Sequence, residues 1–273
     1  MKLSAKTKIC LIIGDPVEHS LSPAMHNAGY EALGIDNQFV FLGAKVKVED
    51  VETAVQAMRK MGIHGLTCTI PHKVVVMKYL DKIDETARKI GAVNTVLNQN
   101  GKLIGFNTDW QGVVIPLEKV TKLPGKKVMV VGAGGAARAI VYGLLKRGAK
   151  VTIFNRTKEK AVNLAKEFNC LSGDLNNQEE IKDFDIIVNT TSVGMKPLEN
   201  ETSISTEFIT EKQIVFDIVY VPFETKLLKE AKKRGAKIIH GIEMLLHQGT
   251  AQFEIYTGHK APEKAMRKAL LQV

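Results

Sequence analysis

Lys73 is one of two side chains in this sequence that could carry acid–base chemistry. It ends the stretch GLTCTIPHK at residues 65–73, directly after an apolar strand-like run and a proline. Pro71 suits the first position of a helix, which would place Lys73 in the first turn, where a cation costs up to about 1 kcal/mol. A catalytic task would explain that cost, because a positioned ammonium can donate a proton to a reacting group. A lysine that faces solvent is the alternative.

Asp109 is the second candidate, and it ends the motif GFNTD. A carboxylate beside Lys73 would orient the ammonium or share its proton, so that the two side chains form an acid–base unit. Capping of the helix that starts here is the alternative role for Asp109. The motifs GAVNTV and GFNTD also offer Asn94 and Asn107 as polar groups.

Two serines near the N-terminus could bind an anion. Ser20 and Ser22 lie in HSLSPAMHN, after a predicted strand and before a predicted helix. Hydroxyls and free amide groups at the start of a helix suit a substrate carboxylate. Ser22 is equally suited to be the N-cap of that helix.

A glycine turn separates the apolar run KKVMVV from the helical pattern AARAIVYGLL. Gly132, Gly134 and Gly135 form this turn, and Ala137 stands where a third spaced glycine is usual. Glycines let a phosphate approach the backbone amides and the positive end of the helix, so the turn predicts a dinucleotide site. A turn that only serves packing is the alternative, because the motif alone is weak.

The end of the next predicted strand indicates which dinucleotide is bound. An NAD site usually has an acidic residue there, whereas this chain has Asn155, Arg156 and Thr157. A guanidinium can pair with a 2′-phosphate, so NADP is favoured, and hydride transfer is then the default chemistry. Arg156 as a surface arginine, Thr157 as an N-cap and Lys160 as a solvated lysine are the alternatives.

The elements that must position these residues follow an α/β pattern. Apolar strand-like runs alternate with helical patterns, which predicts βαβ units and mainly parallel sheets, and the Asn100–Gly101 pair predicts a β-hairpin. We expect a substrate-binding domain over residues 1–108 and a Rossmann-type nucleotide-binding domain over residues 109–243. The last thirty residues are predicted to be helical, with residues 244–273 packing back on the first domain.

The composition limits the classes of protein that this chain can be. Its 273 residues are 45% hydrophobic and 25% charged, as in globular proteins. No apolar run reaches the roughly 18 residues of a membrane span. The net charge of +9 is scattered, which favours small anions over nucleic acid. The three cysteines show no CxxC pattern, so we expect neither disulfides nor zinc, and a cytoplasmic location.

Three histidines lie close to these motifs, but none is interpreted as a catalytic base or a ligand. His26 is expected to be a structural residue that forms hydrogen bonds. His64 and His72 have no companion ligands in the sequence, so no metal site is expected.

Taken in order, the motifs resemble those of the shikimate dehydrogenase family. The resemblance rests on HSLSPAMHN, TIPHK, GAVNT, GFNTD, GAGGAAR, NRT, NTTSVGM and GIEMLLHQG, and it covers nearly the whole chain. It implies two α/β domains with a cleft between them. It also implies NADP-dependent interconversion of shikimate and 3-dehydroshikimate in aromatic amino acid biosynthesis, by a monomer or homodimer whose partners are small molecules.

The same resemblance implies roles for individual residues. Lys73 and Asp109 would be the catalytic pair. Ser20, Ser22 and Tyr220 would hold the substrate carboxylate. The ring hydroxyls would be bound by a further polar set: Thr69, Asn94, Asp109 and Gln248. The NADP site would comprise these residues: Gly132, Ala133, Gly134, Gly135, Ala136, Asn155, Arg156, Thr157, Lys160, Thr191, Ser192, Ile218, Gly241 and Met244.

One departure from the family pattern matters. The family usually has Asn-Val-Thr before its proline and lysine, whereas this sequence has Thr67, Cys68 and Thr69. Threonine is shorter than asparagine and lacks the second polar group of the amide. We therefore expect weaker substrate binding, a water bridge, or a preference for a related ring.

Two other functions stay open at this level. An NAD-linked quinate/shikimate dehydrogenase would share most of the motifs, although Arg156 argues against it. A non-catalytic dinucleotide-binding regulator would keep the glycine turn but would have no need for Lys73 and Asp109.

Overall fold

The computed structural model describes residues 3–272, which form two compact units. The first unit comprises residues 3–109 and 246–272, and the second comprises residues 110–245. The chain therefore leaves the first unit once and returns to it once. Within residues 3–272, none of the helices combines the length and apolar character that crossing a bilayer requires.

Twelve strands and nine α-helices are defined in the described residues. The strands are β1 Lys8–Gly14, β2 Phe39–Lys45, β3 Gly65–Cys68, β4 Lys82–Ile83, β5 Thr95–Gln99, β6 Lys102–Phe106, β7 Lys127–Val131, β8 Lys150–Phe154, β9 Leu171–Ser172, β10 Ile186–Asn189, β11 Ile214–Asp217 and β12 Lys237–Ile239. The helices are α1 Ser22–Ala32, α2 Val51–Lys60, α3 Glu85–Ile90, α4 Asp109–Glu118, α5 Gly135–Lys146, α6 Lys158–Phe168, α7 Lys226–Lys233, α8 Gly241–Thr257 and α9 Glu263–Leu271. Short 3-10 helices cover Val48–Asp50, Val75–Tyr79 and Gln178–Asp183.

The sheet of the first unit has six strands in the order β2-β1-β3-β5-β6-β4. β1 pairs in parallel with β2 and β3, whereas β5 is antiparallel to both β3 and β6. The predicted hairpin is confirmed: Asn100 and Gly101 connect β5 to β6 with φ angles of 54° and 87°, which suit the right-handed twist of the strands. The carboxyl ends of β1 and β3 lie at one edge of this sheet, where their loops begin.

The second unit contains a wholly parallel sheet in the order β12-β11-β10-β7-β8-β9. This is a strand order of the Rossmann type, with the first strand of the unit at the centre, as the sequence predicted. Buried aliphatic residues of β7 and β10, such as Val128, Val130 and Val188, pack against α5 in one core. The strand order reverses between β7 and β10, and ligands of such sheets bind outside the carboxyl ends at that point.

The C-terminal segment is helical, but it is not continuous. α8 and α9 are separated by residues 258–262, where Gly258 has a φ of 73° and Pro262 precedes α9. A glycine at positive φ ends a helix and a proline suits the start of the next one, so the two helices can change direction. α9 then packs against α1 of the first unit.

Candidate active site

Lys73 lies in a turn and not in an α-helix. β3 ends at Cys68, turns cover residues 70–74, and the 3-10 helix Val75–Tyr79 follows. The prediction of a helix beginning at Pro71 is therefore wrong, and the helix-dipole argument does not apply to Lys73. Three β-branched residues at 74–76 disfavour an α-helix slightly, because branched side chains lose rotamer freedom in one.

His72 fixes the turn that carries Lys73. Its backbone N–H donates to the carbonyl of Thr69 at 2.8 Å, and its ring Nε2 lies 2.8 Å from the carbonyl oxygen of Val46. The ring is fully buried. The carbonyl of Lys73 itself accepts from the N–H of Val93 at 2.7 Å. The backbone beside Lys73 is therefore held on both sides, which limits the positions that its ammonium can reach.

Lys73 and Asp109 form a buried ion pair. Nζ of Lys73 donates to Oδ2 of Asp109 at 2.6 Å, and the two side chains are 12% and 4% exposed. A hydrogen bond between two charged groups is short and strong, and here little water competes for it. The structure thus brings together the two residues that the acid–base hypothesis requires. Their catalytic role stays a prediction.

The side-chain amides of Asn94 and Asn107 bind Oδ1 and the backbone N–H of Asp109. Nδ2 of Asn94 donates to Oδ1 of Asp109 at 2.8 Å, and the backbone N–H of Asp109 donates to Oδ1 of Asn107 at 3.0 Å. Asn107 also donates to the carbonyl of Ala92 at 2.9 Å. Asn107 therefore fixes the start of α4, whereas Asn94 bonds to the carboxylate itself.

Gln248 joins the same polar cluster from α8. Its Oε1 lies 3.5 Å from Nδ2 of Asn94. With Lys73 and Asp109, the cluster offers an ammonium, a carboxylate and two amides within one unit. Such a set can hydrogen-bond several hydroxyls of a small ring and can exchange one proton with it.

Ser20 and Thr69 lie in the loops after β1 and β3, and Ser22 is the first residue of α1. α1 begins at Ser22, its N-cap position is Leu21, and no side chain caps it, so the alternative of Ser22 as N-cap is wrong. The N–H of Ser22 instead donates to Oγ of Ser20 at 3.3 Å. A Cβ on Gly14 at the end of β1 would overlap the methyl group of Thr69, so the loops after β1 and β3 pack closely.

The predicted glycine turn is confirmed between β7 and α5. Gly132 has a φ of 120°, and a Cβ there would overlap the hydroxyl of Thr190, so only glycine fits. Gly134 is the N-cap of α5, and a Cβ there would meet no atom within 4 Å. Open space over free amides at a helix N-terminus fits a pyrophosphate. Ala133, Gly135 and Ala136 are half-buried around this space.

Arg156 is exposed just beyond the carboxyl end of β8. β8 is the sheet neighbour of β7, with Phe154 beside Val131, so Arg156 and the glycine turn leave the sheet at the same edge. Asn155 donates from Nδ2 to the carbonyl of Thr157 at 2.9 Å. Thr157 occupies the N-cap position of α6 without a side-chain capping bond. Lys160 is exposed in the first turn of α6.

The loop after β10 is held by a buried carboxylate that the sequence-based interpretation missed. Asn189 accepts from the N–H and hydroxyl of Thr191 at 3.1 and 2.7 Å, and it donates to Oδ1 of Asp217 at 2.9 Å. The hydroxyl of Thr225 donates to Oδ2 of Asp217 at 2.7 Å. Burial raises the pKa of Asp217 to about 6. Asp217 therefore fixes the loop that carries Thr191 and Ser192.

The remaining predicted site residues follow β11 and β12. Ile218 and Tyr220 lie in the segment after β11, and both are half-buried. Gly241 is the first residue of α8, and a Cβ there would overlap the backbone of Val219. Met244 is 7% exposed and belongs to the apolar core of the second unit. Gly241 and Met244 thus have packing roles of their own.

Thr67 already has protein partners. Its hydroxyl lies 2.9 Å from the hydroxyl of Tyr256 and 3.5 Å from Oε1 of Gln252, and its side chain is buried. The expected effect of Thr67 on substrate preference stays a prediction, but any ring hydroxyl would compete with these two side chains.

His26 does not form the hydrogen bonds that were expected of it. Both ring nitrogens are buried without a hydrogen bond among the described residues, and the ring stacks on Phe41 with centroids 4.3 Å apart. Apolar burial explains this and lowers the pKa of His26 to about 3. His64 lies 2.6 Å through Nε2 from the carbonyl of Tyr256. In residues 3–272, no three His, Cys, Asp or Glu side chains gather where they could hold a metal ion.

Three family models match the chain in sequence order. They are described as shikimate dehydrogenase substrate binding domain for residues 12–96, shikimate / quinate 5-dehydrogenase for residues 116–226, and shikimate 5'-dehydrogenase C-terminal domain for residues 241–271. A relative from Nitrosopumilus maritimus named shikimate dehydrogenase (NADP(+)) is 46% identical, over 97% of this chain and 98% of its own length. The chain belongs to the shikimate dehydrogenase family. The resemblance seen in the motifs is thereby confirmed.

Solved structures of shikimate dehydrogenases share the fold. One, a complex with NADP+, has a TM-score of 0.94 and 41% identity, with 99% of this chain and 97% of that chain covered. Another, from Thermus thermophilus in complex with NADP(H) and shikimate, has a TM-score of 0.90 and 34% identity, with 97% and 99% covered. The expected α/β architecture with a Rossmann-type sheet is confirmed.

Several polar residues that support the family motifs were not identified from the sequence. Asp217 and Thr225 hold the loop after β10, and Thr95 and Gln252 contact Asn94. An acid inside the apolar run QIVFDIVY was the one signal for Asp217, because a lone carboxylate in a buried strand needs partners. Gln252 lies four residues from Gln248 on a helix, which places both on one face.

Proposed function

We propose that this protein is an NADP-dependent shikimate dehydrogenase that interconverts 3-dehydroshikimate and shikimate in aromatic amino acid biosynthesis. Family membership supports the reaction and the cofactor, since the relative at 46% identity carries the name shikimate dehydrogenase (NADP(+)). The observation that carries the mechanism is the buried pair of Lys73 and Asp109 at 2.6 Å. A lysine usually keeps its charged end in water, so a lysine side chain that is 12% exposed and paired with a carboxylate is unusual.

Lys73 is the proton donor in this proposal. NADPH, when bound, supplies the hydride that reduces the ketone. Lys73 gives a proton to the ketone oxygen as negative charge develops there, and it takes the proton back in the reverse direction. Asp109 holds the ammonium through Oδ2 and fixes its direction. The 12% exposure of Lys73 leaves it a route for exchanging its proton with solvent.

The substrate is recognised in this proposal by the polar groups of the first unit. Ser20 and Ser22 bind its carboxylate at the start of α1. Asn94, Gln248 and Thr69 bind ring hydroxyls; Asn94 and Gln248 already contact each other at 3.5 Å. Buried amides of this kind discriminate strongly against analogues that lack the matching hydroxyl, because the protein groups are then left unpaired.

The second unit fits NADP. The open space above Gly134 at the N-terminus of α5 admits the pyrophosphate, and Arg156 at the end of the neighbouring strand pairs with the 2′-phosphate. An acidic residue, which would bind the ribose hydroxyls of NAD, does not occur at residues 155–157.

Small molecules are the only partners that we propose. Charged residues of the surface pair locally, as Lys126 does with Asp185 at 2.8 Å and Lys158 with Asp174 at 2.9 Å. Local pairing of this kind does not favour nucleic acid, which requires a continuous basic stripe. The three cysteines are unpaired thiols, which supports a cytoplasmic location.

Replacement of Lys73 by methionine tests the proposal. Lys73→Met keeps the length of the side chain and removes the proton donor, so we expect kcat with shikimate and NADP+ to fall by about 10²- to 10⁴-fold. The KM for shikimate and the affinity for NADP+ should change little. Lys78→Met, which removes an exposed lysine five residues later, is the control and should behave as the wild type.

An absorbance assay of NADPH or NADH formation, run with shikimate or quinate against NADP+ or NAD+, separates the candidate reactions. Turnover that requires NADP+ and shikimate supports the proposal. Preference for quinate and NAD+ would support the quinate/shikimate enzyme instead. Unchanged turnover in Lys73→Met would contradict the assigned proton donor, and absence of turnover in the wild type would favour a regulator.

A further inference from the structure

A buried chain of hydrogen bonds connects α8 to the acid–base pair of the first unit. Nε2 of Gln252 donates to Oγ1 of Thr95 at 2.9 Å, and it lies 3.3 Å from the carbonyl of Asn94. Oγ1 of Thr95 donates to Oδ1 of Asn94 at 2.7 Å. Nδ2 of Asn94 then donates to Oδ1 of Asp109 at 2.8 Å. The side chains of Thr95 and Asn94 therefore link Gln252 to the carboxylate that holds Lys73.

The chain of hydrogen bonds has a single direction from donor to acceptor. The amide nitrogen of Gln252 can only donate, so the hydroxyl of Thr95 accepts from it and has one proton left for Asn94. Oδ1 of Asn94 receives that proton and the N–H of Thr108 at 2.9 Å. Its nitrogen must then face Asp109. If the amide of Asn94 turned over, its oxygen would meet the carboxylate oxygen of Asp109 with no proton between them.

Burial makes this order costly to break. Gln252 and Thr95 are fully buried, and Asn94 is 1% exposed. Water cannot replace a missing partner at such depth, and each hydrogen bond polarises the next in a low-dielectric interior. A change at Gln252 or Thr95 is therefore transmitted to Asn94 and not absorbed by solvent.

Gln252 is itself held in place from the far side. Its Oε1 faces the hydroxyl of Thr67 at 3.5 Å, and that hydroxyl lies 2.9 Å from the hydroxyl of Tyr256. Gln248, Gln252 and Tyr256 follow each other at intervals of four along α8, so they share one face of the helix. Gln248, the first of the three, reaches the side chain of Asn94 directly, whereas Gln252 reaches that side chain through Thr95.

We propose that Gln252 is a positioning residue for the acid–base pair, acting through Thr95 and Asn94 to keep the carboxylate of Asp109 aimed at Lys73. This role rests on the proposed function, because it presumes that Lys73 and Asp109 carry the proton transfer. Gln252 and Thr95 act at a distance from the reacting groups. They set the orientation of Asn94. Thr67, which stands where the family usually has asparagine, supplies the contact that orients Gln252.

The test compares two replacements at Thr95. Thr95→Val removes the hydroxyl with almost no change of volume, whereas Thr95→Ser keeps it. We expect kcat with shikimate and NADP+ to fall by about tenfold or more in Thr95→Val, since small misplacements of reacting groups are costly, and to stay near wild type in Thr95→Ser. Gln252→Met should follow Thr95→Val. The affinity for NADP+ should stay within about twofold, whereas the KM for shikimate should rise, because Asn94 also binds a ring hydroxyl in the proposed function.

Val96→Ala is the stability control. Val96 is the next residue of β5, is fully buried, and belongs to the apolar cluster of the first unit. Its truncation should lower the melting temperature without lowering kcat. If Thr95→Val kept the wild-type kcat, or if Thr95→Ser lost as much as Thr95→Val, the positioning role would be refuted.

A measurement without turnover completes the test. The side-chain amide protons of Asn94, followed by NMR hydrogen exchange, should be protected in the wild type and in Thr95→Ser, and should exchange faster in Thr95→Val. Equal protection in all three proteins would refute the hydrogen-bond chain itself. Absence of wild-type turnover with shikimate, by contrast, would refute the proposed function and with it the role of Gln252 in catalysis.

Discussion

His26 should make the protein sensitive to acid. Its ring is fully buried among aromatic side chains, stacked on Phe41, with neither nitrogen in a hydrogen bond among the described residues. Burial lowers the pKa of His26 from 6.5 to about 3, because the charged ring would lose its hydration, and the nearby side chain of Gln252 offsets only part of that loss. The folded protein therefore keeps this histidine neutral, whereas the unfolded chain protonates it below about pH 6.5.

The sign and size of the effect follow from proton linkage. Between about pH 6.5 and pH 3 the unfolded state binds more protons, so the free energy of unfolding falls as the pH falls. A shift of this size corresponds to about 5 kcal/mol once the pH is below both values, and to about 2 kcal/mol between pH 7 and pH 5. At a pH above the pKa of His26 in the unfolded chain, none of this free energy of unfolding is lost.

Asp217 works in the opposite direction, and the experiment must remove its contribution. Burial raises the pKa of Asp217 to about 6, so the folded state binds more protons there and stability falls as the pH rises through that range. Asp217 lies in the second unit and His26 in the first. A difference between the wild type and a single variant at His26 cancels the Asp217 effect.

The variant His26→Leu has a similar volume and no titrating group. Urea unfolding of the wild type and of His26→Leu at pH 7 and pH 5 should show the wild type losing about 2 kcal/mol more than the variant, whatever the variant loses at pH 7 through its changed packing. Each unit should be followed by its own probe, because two units need not unfold together. Parallel losses in the two proteins would refute a buried neutral ring.

Two further predictions concern the cofactor unit. Gly134→Ala should leave the melting temperature of the ligand-free protein unchanged, since a Cβ there meets no atom within 4 Å, yet it should weaken NADP+ binding measured by titration. Gly132→Ala, at a φ of 120°, should lower both the melting temperature and the affinity for NADP+. Arg156→Gln should weaken the binding of NADP+ by roughly 10-fold or more and leave the binding of NAD+ unchanged, as expected for the loss of a charge-assisted contact. Lys166→Gln on α6 should change neither affinity. Intact NADP+ affinity in Gly134→Ala or Arg156→Gln would contradict the respective assignment.

The sequence predicts those features that depend on local pattern. The parallel strands, the hairpin at Asn100 and Gly101, and the turn at Gly132 each follow from residue types within a few positions of one another. The same local reasoning fails at Lys73. There, a proline suggested the start of an α-helix, but the structure has turns at residues 70–74 and the 3-10 helix Val75–Tyr79.

The support of the candidate site could not be predicted, because it depends on contacts between distant parts of the chain. Gln252 and Thr95 are 157 residues apart, and no spacing in the sequence relates them. His26 is a similar case: the burial of its ring results from aromatic neighbours supplied by β2 and α8. Family motifs predict which residues bind the substrate, but they do not predict which residues hold those motifs in place.

The division of the chain has a consequence for its synthesis. Residues 110–245 are continuous, whereas the first unit is assembled from 3–109 and 246–272. The ribosome therefore synthesises every residue of the dinucleotide-binding unit before it synthesises Gln248, Gln252 and Tyr256. In the nascent first unit, Asn94 and Thr95 lack their partners from α8 until residues 246–256 have been synthesised. The hydrogen bonds from α8 to Asn94 and Thr95 therefore form only after residues 110–245 have been synthesised.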